Sequence, residues 1–281
     1  MRIDAHHHLW DLGARPQAWQ AAEQLAPLRR TFRFAELEPH LDAHGVDATV
    51  VVQSSSSLPE TRELLAEAAG SGGRIAGVVG WADLTAPGLG QELAELRTAG
   101  PLAGIRHQVQ DEPDPDWLDR PDVRAGLRAV GAAGLVYDLL VTPRELAAAE
   151  RAVRELPEVR FVLDHGAKPP IAAGEREPWA AGVTALAALP NVACKLSGLV
   201  TEADWTTWRP ADVLPYARHL LDAFGPGRLL FGSDWPVCTL AASYADVYAL
   251  AGQALDQLTP AERDGVLGAN AVRVYGLAQS G

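Results

Sequence analysis

The sequence predicts an α/β fold, a (β/α)8 TIM barrel forming one domain over residues 1–281, and two observations carry that prediction. Eight short apolar runs recur along the chain, and alanine- and leucine-rich stretches with helical spacing separate them. Strand alternating with helix builds parallel βα units, and eight units of roughly 30 residues each match a closed barrel. A doubly wound open sheet is the competing arrangement, but no G-x-G-x-x-G follows any of the runs.

The first run, RIDAHHH at 2–8, alternates small or apolar residues with polar ones, the period of a strand. His6 and His8 then share one face and His7 faces away, and two imidazoles at that spacing can grip one metal ion. DATVVVQ (47–53), RIAGVVGWA (74–82) and LAGIRHQ (102–108) follow. GLVYDLLV (134–141), VRFVLDHG (159–166), NVACKLSG (191–198) and RLLFGSDWP (228–236) complete the eight. Between them, TRELLAEAAGSGG, PRELAAAERAVREL and PWAAGVTALAALP read as helices, with glycine or proline at their ends. The segment 9–39 is the largest insertion; PLRRTFRF within it, with Arg29 and Arg30, is expected to form a lid or to meet substrate.

Composition narrows the partners. A net charge of −12 argues against nucleic acid or an anionic membrane surface, both of which need basic protein surface. No apolar run reaches the length of a membrane span. The first strand is expected to begin at residue 2, leaving no room for a cleaved leader, and two cysteines make no disulfide framework, so the cytoplasm is the expected location. The sequence leaves homo-oligomerisation open.

A barrel places its active site at the C-terminal ends of the strands. Those ends carry His6 and His8, Gln53, Trp81, Arg106 and His107, Tyr137 and Asp138, Asp164 and His165, Lys195, and Asp234 with Trp235. Taken singly, each histidine reads as a hydrogen-bonded core residue; together, at converging strand ends, they read as a site. His40, His44 and His219 fall in predicted helices, where solvated or capping roles fit better.

DAHHHLW, GIRH, LDHGAKP, CKLSGL and FGSDWPV, in that order, resemble the amidohydrolase superfamily. The likeness is to the amidohydrolase-related branch that holds L-fuconolactonase and other sugar-lactone and dicarboxylate-lactone hydrolases, and with GANAVRVYGL it runs to the closing helix. It implies a (β/α)8 barrel and hydrolysis by an activated water at a mononuclear metal site or its vestige. His6, His8, His165 and Asp234 match the family's ligand positions, a mixed nitrogen and oxygen set suited to one Zn²⁺. Asp234 would also be the general base. The wider superfamily adds a lysine on strand 4 or a histidine on strand 5. Here those places hold Arg106–His107 and Tyr137–Asp138, so a second metal is not expected. Some members of the branch work without metal, and Arg106 would then polarise the carbonyl.

Arg106 offers a planar fork for a developing oxyanion. His107 either protonates the leaving alkoxide or turns into the helix layer, since strand neighbours face opposite ways. Gln53, Trp81, Tyr137, Lys195 and Trp235 are the expected substrate contacts, the tryptophans by stacking on a sugar ring. The expected activity is therefore lactone hydrolysis on a small-molecule substrate. The alternative is a decarboxylase of the same superfamily acting on an aromatic or dienoic acid.

Overall fold

The computed structural model describes residues 1–278. Its eight strands form one parallel sheet in the order of the chain. They are β1 Ile3–His7, β2 Ala48–Val52, β3 Ile75–Gly80, β4 Leu102–His107, β5 Val136–Leu139, β6 Arg160–Leu163, β7 Val192–Leu196 and β8 Leu229–Phe231. All eight expected strands are present, each a little shorter than its apolar run. Beyond β8 the chain returns to β1: the Asp234 N–H donates to the His6 carbonyl at 2.8 Å and the His8 N–H to the Trp235 carbonyl at 2.7 Å. These bonds nearly close the ring, so the first and last strand ends meet.

Period-2 alternation divides the core in two. Small and branched residues such as Ala5, Val50, Val79, Ala103, Val162 and Ala193 fill the barrel interior, where little room is available. Their neighbours, among them Val51, Val78, Ile105, Tyr137, Phe161 and Phe231, face the surrounding helices.

The helices are α1 Phe34–His44, α2 Leu58–Gly70, α3 Leu89–Ala99, α4 Pro121–Ala132, α5 Leu146–Glu155, α6 Trp179–Ala187, α7 Pro210–Phe224 and α8 Tyr244–Ala254. Two short ones close the chain, α9 Pro260–Asp264 and α10 Asn270–Tyr275. In α5, Leu146, Ala149 and Val153 recur at helical spacing and are buried, whereas Arg154 stays outside. Ser243 and Asp246 cap α8 reciprocally, satisfying amides that a helix start leaves unpaired. From α10, Val274 and Tyr275 plug the barrel at the end opposite the strand C-termini. Among the described residues, no helix is long and apolar enough to cross a membrane.

The insertion after β1 contains two 3-10 turns, Ala18–Ala21 and Glu23–Leu28, before α1 begins at Phe34. Arg29 does not reach the strand ends. It donates to the carbonyls of Gln20, Ala21 and Ala22, holding the first turn. Arg30 lies over the Phe32 ring and pairs with Glu36.

Candidate active site

The strand C-termini open into a solvent-accessible cleft of ≈ 360 Å³. His8, Arg106, His165 and Asp234 line it from the strand ends, and Trp19, Gln108, Lys168, Glu202 and Trp205 from the loops. The 3-10 turns of the insertion reach it through Trp19 and Leu25, so this segment borders the cleft with apolar side chains rather than with the expected arginines.

His6 lies just below, fully buried. Its Nε2 is 3.1 Å from His8 Nε2, and Asp234 Oδ1 stands 3.7 and 3.4 Å from those two nitrogens. A tetrahedral Zn²⁺ with ligand bonds of about 2.0–2.1 Å separates its ligand atoms by about 3.4 Å, so the three atoms match one face of such a site. His8 Nδ1 lies 2.8 Å from the Val52 carbonyl. A neutral ring must donate there, which leaves the Nε2 lone pair free, the usual arrangement of a metal-bound histidine. Burial, then the charge of Lys195, holds His6 well below the ordinary histidine range, so its ring is neutral as a ligand requires. The donor set fits one divalent ion.

His165 does not join this set. Its ring centroid is 4.4 Å from that of His6, and with His6 and Asp164 it forms a second cluster. Asp164, however, is already taken: Oδ2 accepts from Arg106 at 2.9 Å and Oδ1 lies 2.9 Å from Lys195 Nζ. A cation there would face two protein cations, which disfavours a second ion. Ser197 Oγ lies 2.9 Å from His165 Nδ1. Burial lowers the His165 pKa to about 4.

Burial pushes the Asp234 carboxyl up, but His165 and a His8 hydrogen bond outweigh it and leave the pKa below the ordinary value. Asp234 is thus an ionised, buried carboxylate at the cleft floor. Arg106 lines the same floor, its Nη1 3.5 Å from His6 Nε2, and is held from behind by Asp164 and by the Gln53 carbonyl, with its Nε–H unpaired among the described residues. The floor therefore offers a base and a cationic hydrogen-bond donor.

Beneath the floor is a buried charge cluster. Lys195, fully inaccessible, donates to Asp138 Oδ2 at 2.6 Å and lies 2.9 Å from Asp164 Oδ1 and 3.1 Å from His6 Nδ1. Tyr275 donates to Asp138 at 2.8 Å from the barrel's far end. Burial raises the Asp138 pKa to about 6, against the pull of Lys195.

Backbone geometry at the floor is strained. His165, Gly166, Ala167 and Lys168 all take left-handed φ, from 50° to 61°, and Asp234 has φ 58°. Left-handed backbone costs a non-glycine residue roughly 1–2 kcal/mol, and it persists where surrounding structure over-determines it, often at functional sites.

Several expected contacts lie elsewhere. His107 turns outward into the helix layer: Trp81 Nε1 donates to its Nδ1 at 3.0 Å, its Nε2 lies 2.7 Å from Glu112, and its ring stacks on Trp117. That correction removes both His107 and Trp81 from the cleft. Tyr137 also faces the helices, packed on Phe161; its strand neighbour Asp138 points inward instead. Trp235 is buried against Phe32. Gln53 is one layer back, trading amide bonds with the cleft residue Gln108. Lys195 supports the site from below and does not border the cleft. Expectation missed Lys168, Glu202 and Trp205, which loops carry to the rim with no strand-end signal. Asp164 was visible at the end of its strand without an assigned role.

The chain is similar to known proteins over its whole length. An L-fucono-1,5-lactonase of Burkholderia ambifaria is 42% identical over 281 residues, covering 98% of this chain and 95% of that protein. The crystal structure of a Burkholderia multivorans amidohydrolase with bound zinc superposes at TM-score 0.92 and 41% identity, covering 99% of this chain and 100% of the other. A 5-carboxyvanillate decarboxylase from Sphingomonas paucimobilis shares the fold, at TM-score 0.66 and 13% identity over 99% of each chain. The family model described as amidohydrolase matches residues 3–277. With that match and those full-length relatives, the chain belongs to the amidohydrolase family.

Proposed function

We propose that this protein opens the ring ester of a sugar-derived lactone, with L-fucono-1,5-lactone as the first substrate to test. The observation that carries the reading is an ionised Asp234 and the Arg106 guanidinium on the floor of one cleft, both within 3.7 Å of His6 Nε2. Full-length similarity to lactonases supports it.

In this reading the lactone carbonyl oxygen accepts from Arg106, whose Asp164 and Gln53 contacts preset the fork for a developing negative charge. Asp234 removes a proton from water as its oxygen adds to the carbonyl carbon. The tetrahedral intermediate collapses, the ring C–O bond breaks, and Asp234 returns its proton to the departing alkoxide. The product is a hydroxy acid, whose carboxyl proton passes to solvent. His6, His8 and Asp234 would hold the divalent ion, which supplies Lewis acidity that makes water a better nucleophile near neutral pH.

The test is a panel of aldonolactones and dicarboxylate lactones, followed with a pH indicator, beside a panel of aromatic acids followed for CO₂. Acidification with at least one sugar lactone and no CO₂ is expected. An inactive lactone panel with measurable decarboxylation moves the protein to the lyase reading. Elemental analysis before and after chelation should find at most one equivalent of divalent metal, and two equivalents would refute the single-ion site.

A further inference from the structure

Lys168 and Glu202 face each other across the rim of the cleft, Lys168 at the end of the left-handed run after β6 and Glu202 on the 3-10 turn Leu199–Glu202 after β7. Their charged atoms are 3.9 Å apart, beyond hydrogen-bond reach, and each side chain stays about one-quarter exposed to the cleft. Among the described residues neither side chain hydrogen-bonds to protein, and the two meet only as this long ion pair. The gap has a use. One hydroxyl oxygen placed about 2.8 Å from each charged atom would accept from Lys168 and donate to Glu202, with about 90° between the two contacts. Trp205, anchored by its Nε1 bond to the Thr201 carbonyl, borders the same cleft and offers a ring to stack on the C–H face of a sugar.

We propose that Lys168 and Glu202 form a hydroxyl-reading subsite that selects polyhydroxylated lactones over bare ones. The inference rests on the lactone reading above and adds to it the group that confers specificity. A charged donor and a charged acceptor that meet only as a long ion pair gain two charge-assisted hydrogen bonds from a bridging hydroxyl, which a bare ring cannot supply. The left-handed backbone that delivers Lys168 is consistent with a position held for function. Burial raises the Glu202 pKa against the effect of Lys168, which makes the carboxylate a strong acceptor for a substrate hydroxyl.

The experiment compares Lys168→Met, Glu202→Gln and the double variant with the unmodified protein, each checked for fold by circular dichroism. The quantity read is kcat/KM for L-fucono-1,5-lactone divided by kcat/KM for δ-valerolactone, which has the ring ester and no hydroxyls. Each single variant should lower that ratio about ten-fold or more, and the double variant little further, because one hydroxyl serves both residues. A ratio within two-fold of the unmodified protein in both single variants would overturn the subsite, as would a fall that is the same for both lactones. Calorimetric binding of L-fuconate separates this outcome from failure of the lactone reading. If neither of these lactones nor any member of the lactone panel is hydrolysed, the lactone reading fails. The subsite then survives only if L-fuconate binds and either substitution weakens it about ten-fold; no binding, or unchanged binding, overturns it.

Discussion

Replacing Lys195 with methionine probes the cluster that supports the floor. The ammonium is fully buried and lies within 3.1 Å of Asp138, Asp164 and His6. Removing it strands two buried carboxylates. Asp164 keeps Arg106, but Asp138 keeps only the Tyr275 hydroxyl. Breaking one partner of a buried ion pair costs about 3–5 kcal/mol. For a chain of this length each kcal/mol lowers Tm by about 2 °C, so calorimetry at pH 8 should show a drop of about 6–10 °C. The cost must depend on pH. Asp138 already has a folded pKa of about 6, above its unfolded value, and loss of Lys195 raises it further. A carboxyl that is easier to protonate folded than unfolded loses stability as pH rises through that interval. The deficit should therefore be smaller at pH 5 than at pH 8. Adding Asp138→Asn removes the stranded charge while keeping an acceptor for Tyr275, and the double variant should regain part of the loss. A Tm change under about 2 °C at pH 8, or a larger deficit at pH 5, would refute the reasoning.

Gly198→Ala should disable the floor: φ is +63°, and a methyl there would overlap His165 Nδ1 and come 3.1 Å from Asp234 Oδ2. A fall in kcat of about 100-fold is expected, the scale on which displaced catalytic groups lose rate, and near-normal turnover would contradict the placement of His165. The acid limb of kcat/KM should lie near pH 4 rather than near the ordinary histidine value, because burial lowers His165 to about 4 and Asp234 is held below its usual pKa. Protonation of either group abolishes the neutral, ionised pair, so rate falls as pH drops; a limb near 6.5 would point to an exposed histidine. Tyr137→Phe removes a buried hydroxyl with no partner among the described residues, so Tm should hold or rise by about 2 °C with kcat/KM little changed. A large loss of kcat/KM would return Tyr137 to the substrate's surroundings.

Strand positions and strand ends were legible because hydrophobic period and barrel architecture are local signals. Which of two adjacent residues faces inward was not. Arg106 pairs in register with Asp138, and His107 with Leu139, so register puts Arg106 and Asp138 on the inner face and turns His107 and Tyr137 to the helices. That register depends on strand pairing across the intervening helix, which no local period reveals. Lys195 reads from its own strand as a substrate contact; its partners Asp138 and Asp164 come from two other strands, and only their convergence shows why a lysine can be buried there. Lys168 and Glu202 sit on loops whose paths no hydrophobic period encodes. The H-x-H pair was clearer, since spacing alone puts His6 and His8 on one face.

The most direct measurement is turnover of L-fucono-1,5-lactone by Asp234→Asn beside the unmodified protein, with fold verified by circular dichroism and Tm. Loss of the carboxylate that lines the floor should leave the barrel intact and cut kcat about 100-fold or more, the scale of a lost general base. A folded variant keeping more than about one-tenth of the original turnover would contradict Asp234 as the residue that activates water.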